Sequence, residues 1–322
     1  MSGLELVPFS DDHLEDAAGL LAARHARDRR AEPLLPERYE DPAEALEEVE
    51  NAWHEESASG TAALRGGRLA GYVLGAPRDP GIWGENVWVD LAGHVVEEPE
   101  DARDLYGHAA ARWVEEGRTR HYVLLPADTP LVDAWFRLGF GQQQAHGYRE
   151  VPERTDVRVP EGCEIRKPTE ADVDALLEVE LALPAHQRLA PVFSARPLPT
   201  EDEIRREWAE TLAGSSDEEV LICTRDGRPV ACWGFVSAER SSHHRGPGRP
   251  DNSCYLAFAA TLPASRGAGV GVALTDAGFA WATGQGYRAM VTDWRVTNLL
   301  ASRFWPRRGF RPAVLRLYRS IP

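Results

Sequence analysis

Residues 266–271 read Arg266-Gly267-Ala268-Gly269-Val270-Gly271, a turn with glycine at every second place, set between a short apolar strand and an amphipathic helix. The three glycines remove side chains from one face of the turn and admit backbone angles that other residues avoid. Consecutive N–H groups can then converge on one concavity. Leu274, Ala277, Gly278 and Trp281 follow at helical spacing,. The helix N-terminus they define turns its unpaired amides and partial positive charge to the same concavity, and Arg266 adds a full charge. An anion site and a plain glycine bend fit the glycines equally well. Two nucleotide motifs are excluded, because the third glycine comes one residue early for the dinucleotide fingerprint and no Gly-Lys-Ser/Thr follows for a P-loop.

The chain around this turn has 322 residues, 43% hydrophobic and 27% charged. That length suits two domains, each with its own core. No basic-then-apolar leader opens the chain and no apolar run approaches the length of a membrane span, so a cytoplasmic protein without a membrane partner is expected. Cys163, Cys223, Cys232 and Cys254 show neither C-x-x-C pairing nor companion histidines at zinc spacing, which reads as reduced core thiols and no metal,. Residues 1–150 hold 14 Arg against 29 Asp plus Glu, whereas residues 151–322 hold 22 basic and 22 acidic residues. The acidic first half argues against nucleic acid as a partner, and the neutral second half can accept an anion.

In order, the chain repeats itself. Leu4–Pro8 reads as a strand, Asp11–Arg24 as a helix, and Thr61–Leu64 with Leu69–Leu74 as a hairpin through Gly66 and Gly67,. Trp83–Leu91 reads as a strand, Leu105–Glu116 as a helix, His121–Leu125 as a strand and Leu131–Arg137 as a helix, with Gln142–Val151 closing the half. A polar linker at 152–161 follows. Then come a strand at Glu164–Arg166, helices at Asp172–Val179 and Thr200–Leu212, the latter with a Thr200/Glu203 capping box, and a hairpin of Val220–Thr224 and Val230–Val236. This hairpin matches the earlier one at an offset of 160 residues. The segment from Asp128 to Phe140 likewise matches that from Asn298 to Phe310 in length and in its Trp, Arg, Gly and Phe positions, which points to duplication,.

Two blocks of the second half carry a resemblance. Pro263, Arg266, Gly267, Gly269 and Gly271 before a helix, then Asn298, Ala301, Phe304, Gly309 and Phe310 after the next strand, resemble the GCN5-related N-acetyltransferase (GNAT) superfamily in order and spacing. The strong match covers about the last 70 residues, and the first half resembles the family through its tail and element order. The whole chain looks like a tandem acetyltransferase, similar to mycothiol synthase-like actinobacterial proteins. The resemblance implies an α/β fold (α+β by some schemes) of two GNAT-like domains, each a mixed, mostly antiparallel sheet flanked by helices. Residues 1–151 would form a degenerate domain without the cofactor turn, and residues 162–322 a domain with an acetyl-coenzyme A site.

From the family, the pyrophosphate of acetyl-coenzyme A, a co-substrate, is expected on Arg266, Gly267, Ala268, Gly269, Val270 and Gly271. Backbone N–H groups near Ala260, Thr261 and Leu262 would polarise the thioester, and Asn298 would contact the cofactor arm. A helix-cap role for Asn298 is equally consistent. The resemblance also implies N-acetylation of a primary amine, a small molecule or a peptide N-terminus, with a homodimer left open. The chain departs from the family where proton transfer is concerned. Directly after Phe304, where many members place a tyrosine to protonate the thiolate, it has Trp305, and the strand Tyr255–Thr261 holds no carboxylate. Tyr255, Asp251, Asp293, Ser302 and the pair His243 and His244 remain as catalytic candidates, the histidines reading more readily as part of a solvated loop. Trp294 and Trp305 flank the expected cleft as substrate contacts. The missing groups equally permit a silent acyl-coenzyme A binding or regulatory module. In the first half, Glu97, Glu98, Glu100 and Asp101 stand where the glycine turn would be, and their charge is expected to repel the cofactor.

Overall fold

The computed structural model describes residues 3–194, 197–214, 218–242 and 244–322. The chain divides into two compact units, one of residues 1–146, 245–250 and 312–322 and the other of residues 147–244 and 251–311. The expected boundaries assigned 312–322 to the second domain. The strand Arg311–Ser320 instead pairs antiparallel with Arg120–Pro126, from Val314 opposite Pro126 to Ser320 opposite Arg120.

The first unit contains β1 (Glu5–Pro8), α1 (Leu14–Ala31), α2 (Pro42–Trp53), β2 (Ser59–Arg65), β3 (Arg68–Gly75), the single turn α3 (Pro80–Trp83), β4 (Asn86–Val89), β5 (His94–Val96), α4 (Asp101–Glu115), β6 (Arg120–Pro126) and α5 (Thr129–Arg137). β7 (Gly141–Glu150) begins in this unit and ends in the next. β1, β2, β3 and β5 form an antiparallel sheet. β4, β6 and the final strand form another ladder. Asp41 caps α2 by accepting from Ala43 N–H at 2.9 Å, with Pro42 in the first turn, where its missing N–H costs nothing,. The apolar faces of α1 and α2 close on the sheet through Leu14, Ala17, Leu21, Ala45, Val49 and Tyr72. The expected strand Trp83–Leu91 is shorter than its apolar run, because the backbone turns at Leu91–Gly93 before resuming as β5.

The second unit contains β8 (Cys163–Arg166), α6 (Val173–Arg188), α7 (Glu201–Leu212), β9 (Glu219–Arg225), β10 (Arg228–Ser237), β11 (Ser253–Thr261), α8 (Val270–Gly284), β12 (Ala289–Arg295) and α9 (Leu299–Arg307), ahead of the final strand β13 (Arg311–Ser320). β8, β9, β10 and β11 are successive antiparallel neighbours, and β12 joins β11 in parallel. The capping box opening α7 is present, with Thr200 Oγ1 accepting from Glu203 N–H and Glu203 Oε2 accepting from Thr200 N–H. One sheet face packs on α6 and α7 through Leu176, Ile204, Trp208, Ile222 and Cys232. Phe235, fully buried and three positions after Cys232, packs instead on α8 at Gly278.

That contact makes a prediction. A Cβ on Gly278 would lie 2.3 Å from Phe235 Cζ, so Gly278→Val must displace an aromatic ring in a close-packed core,. Overpacking of this kind costs about 1–3 kcal/mol, and thermal unfolding should fall by several degrees. Gly284→Ala, where a Cβ meets nothing within 4 Å, should leave the melting temperature unchanged or higher,. Equal melting of both variants would mean that Phe235 is not held as described.

Candidate active site

The site forms where two parallel strands part. β11 and β12 pair from Ser253 opposite Ala289 to Leu256 opposite Thr292, and their ladder ends there although β11 runs on to Thr261. A bulge marks the fork: Gly234 of β10 faces Phe258 while Phe235 faces Leu256, so Ala257 has no partner opposite it,. Beyond the bulge the direction of the amides is set by Leu262, whose N–H donates to Val230 O at 2.9 Å on the β10 side. Amide direction alternates along a strand, so Ala260 turns the same way and the N–H groups of Ala259 and Thr261 point to the opened edge. The polarising role expected near residues 260–262 therefore cannot belong to the amide of Leu262, which is already committed to β10.

After Thr261 the chain makes a short turn at Pro263–Ser265 and enters the glycine segment. Gly267 (φ +79°) and Gly269 (φ +82°) both lie in the left-handed region, and Gly269 is the N-cap of α8 with no side chain to cap it. The first amides of α8 thus keep the orphan donors of any helix N-terminus, at a turn that is exposed from Arg266 to Gly269,. A Cβ on Gly267 would meet nothing within 4 Å, so the open space beside it is real. Arg266 is steered by its Nε donating to Thr261 O at 3.2 Å.

These parts border one cleft of about 420 Å³. It brings together Ala260, Thr261, Arg266, Gly267, Gly269, Gly271, Asn298 and Trp305 of the expected residues, with Trp233 and Phe304 forming an apolar wall. Leu262, Ala268, Val270, Tyr255, Asp293, Ser302 and Trp294 do not line it. Trp294 is 5% exposed and packs on Gly147, which removes it as a substrate contact. Ser302 is half-buried on α9, its N–H donating to Asn298 O. Asn298 caps α9, its Oδ1 accepting from Leu300 N–H at 3.2 Å and Ala301 N–H at 3.3 Å.

Sequence reasoning missed His186. The helix expected to stop at Val179 continues through Pro184 to Arg188, and its last turns carry Leu183 and His186 to the cleft. His186 Nε2 lies 3.2 Å from Asn298 Oδ1. The periodicity of Leu176, Val179 and Leu183 was the available signal, obscured by Pro184.

A second group gathers beside the fork. Tyr255 Oη donates to Asp293 Oδ1 at 2.7 Å, joining β11 to β12 where their ladder ends. The His244 ring sits 4.7 Å from the Tyr255 ring, and its Nδ1 is 2.9 Å from Ser241 Oγ. His244 is only 1% exposed, so the solvated-loop expectation fails for it: the Ser- and Gly-rich segment folds inward onto Tyr255. His243 lies outside the described residues.

On the α6 and α7 face, Glu180, Glu207 and Glu218 border a small pocket of about 170 Å³ with Cys232 and Phe258. Burial, then the charges of Glu218 and Glu207, push the Glu180 carboxyl up to about 7 from its ordinary 4.5,. Between those two values the folded chain holds a proton that the unfolded chain has lost. The associated stability is complete below about pH 4.5 and is lost as pH rises through 7,. Glu180→Gln should match the parent near pH 4.5 and exceed it in melting temperature at pH 8. An identical difference at both pH values would show that Glu180 does not titrate in this way.

The first unit has a counterpart cleft of about 640 Å³, bordered by Val95, Val96, Glu97, Asp128 and the α1 residues Arg24 and Asp28. The expected carboxylate barrier is largely neutralised there: Glu97 pairs with Arg68, Asp101 with Arg65, and Glu100 with Arg103 and Arg137. What occupies the strand edge is Arg24, 5% exposed, which donates to the carbonyls of His94 and Leu91 and pairs with Asp28 at 3.3 Å.

A profile of the acetyltransferase (GNAT) family matches residues 183–310. Those residues form a GNAT acetyltransferase domain. Its matched span runs from the end of α6 through the fork, the glycine turn and α9, and the family's chemistry is acyl transfer. Over the whole length, the chain is similar to a GCN5-related N-acetyltransferase from Sphaerobacter thermophilus, at 15% identity and a TM-score of 0.58, covering 98% of this chain and 95% of that one. It is also similar to a tandem GNAT protein from the clavulanic acid biosynthesis pathway, at 15% identity and a TM-score of 0.52, covering 99% and 98%. The two-domain GNAT fold follows from these likenesses. No curated protein matches the chain by sequence.

Proposed function

We propose that the protein is an acetyl-coenzyme A-dependent N-acetyltransferase that modifies a primary amine by direct attack in a ternary complex. The observation that carries this reading is the joining of an uncapped, glycine-built helix N-terminus and an opened strand edge in a single cleft. The first suits a diphosphate, through backbone amides and Arg266. The second suits an amide-bearing arm, which would extend β11 along the edge that β12 has left. The cleft's apolar wall suits the acyl end.

In this reading the N–H groups of Ala259 and Thr261 are the donors available to the thioester carbonyl, where negative charge develops as the amine attacks. Asp293, linked to Tyr255 beside the fork and outside the cleft lining, accepts through water the proton that the amine nitrogen loses after attack,. The first unit holds no coenzyme A, because it lacks the turn and Arg24 occupies the strand edge. The competing reading, a silent acyl-coenzyme A binding module, rests on Trp305 standing where an acid is usual. Calorimetry with acetyl-coenzyme A followed by thiol release across a panel of small amines and peptide N-termini separates the two. Saturable binding with turnover on at least one amine is expected. Binding without turnover on any amine would leave the silent module, and no binding would remove both.

A further inference from the structure

We propose that His186 is the acid that returns a proton to the departing thiolate. The inference rests on the function proposed above and concerns the group that Trp305 cannot supply. Of the residues that line the cleft among those described, only His186 and Arg266 carry ionisable side chains. Arg266 stands at the diphosphate turn and does not release a proton at any relevant pH. The other elements lining the cleft contribute Trp233 from β10, Ala259, Ala260 and Thr261 from β11, and Asn298, Phe304 and Trp305 at α9, none of them titratable, while Arg188 is the next charged residue in sequence on its own helix.

The geometry also selects the nitrogen. Asn298 Oδ1 accepts from two backbone amides of α9, which fixes which end of that carboxamide is oxygen,. A ring nitrogen facing that oxygen at 3.2 Å must donate, so Nε2 carries hydrogen and Nδ1 is the atom at which a proton comes and goes,. Asn298 is then a positioning residue as well as a cap. In the step itself, the amine lone pair forms the N–C bond and the C–S bond breaks with its electron pair passing to sulfur. The Nδ1 proton of the imidazolium goes to that sulfur, while the surplus proton on the amine nitrogen passes through water to Asp293, which stands outside the cleft lining. One proton leaves His186 and one reaches Asp293 in each turnover, and water restores both.

The test uses the full chain and long-range proton–nitrogen NMR of its imidazoles, with the His186 signal identified by its loss in His186→Gln. It compares saturating coenzyme A with desulfo-coenzyme A, which lacks only the sulfur. The Nε2–H tautomer is expected, with His186 ring signals that differ between the two ligands. Asn298→Asp, which still caps α9 and still offers an oxygen to the ring, should keep the Nε2–H tautomer,. With acetyl-coenzyme A and hydroxylamine, a nucleophile too small to need an acceptor pocket, His186→Gln should lower thiol release about 100-fold or more without weakening cofactor binding. Identical ring signals with both ligands, the Nδ1–H tautomer, or unimpaired turnover by His186→Gln would each overturn it. Absence of saturable binding by either ligand would instead overturn the function on which it rests.

Discussion

Gly269→Val is expected to weaken binding of acetyl-coenzyme A by about 100-fold or more, since losing two hydrogen bonds to a charged group removes roughly 3–5 kcal/mol. The reason is conformational before it is steric. Gly269 sits at φ +82°, where a β-branched residue is a true outlier, and a Cβ there would otherwise meet only Pro160 Cγ at 3.5 Å,. The turn must therefore rearrange, and the amides from Ala268 to Gly271 cease to converge. Folding should survive, because the strain amounts to about 1–2 kcal/mol in an exposed segment. Glu97→Gln and Glu98→Gln in the first unit should leave binding nearly intact, and equal losses from both kinds of variant would place the cofactor on the wrong unit. Calorimetry, with circular dichroism to confirm the fold, reads both outcomes.

Asp293→Asn should lower kcat by about 100- to 10,000-fold, the range over which a positioned acid or base acts, while acetyl-coenzyme A binds as before. An asparagine oxygen can still accept the Tyr255 hydroxyl, so the link between β11 and β12 persists and only basicity is lost,. Tyr255→Phe removes the link but keeps the carboxylate, and a milder loss is expected. Steady-state rates with any amine the enzyme accepts decide the matter. An Asp293→Asn enzyme within about threefold of the parent, far below the effect of a general base, would mean that the proton leaves by another route.

The glycine turn was legible because its chemistry is local: Gly267 and Gly269 announce left-handed backbone, and the helix after them announces its own start. The paired hairpins and the Thr200 cap were readable for the same reason. What escaped depends on distant partners. The run from Trp83 to Leu91 looked continuous because the residues that turn the chain, Leu91 to Gly93, are themselves buried. His186 escaped because the helix was read to stop at Val179, and in the fold it runs on through Pro184 to Arg188. His244 escaped because a Ser- and Gly-rich composition describes exposure on average, while the Tyr255 ring decides this particular loop. The pairing of the last strand with β6 lies almost 200 residues away in sequence, and no local pattern encodes it.

The repeat also reads differently with the side chains in view. The acidic segment of the first unit is laced to Arg65, Arg68, Arg103 and Arg137, so charge alone does not bar an anionic ligand. The buried Arg24, bonded to two backbone carbonyls at the strand edge, is the stronger support for the proposal that this unit holds no coenzyme A.

The most direct test of the central claim, that one glycine-built site in the second unit holds the acyl donor, is the stoichiometry of acetyl-coenzyme A binding to the intact chain by calorimetry. One molecule per chain is expected, lost in Gly269→Val and retained in Arg24→Ala. Two molecules per chain, or binding that survives in Gly269→Val and disappears in Arg24→Ala, would contradict it.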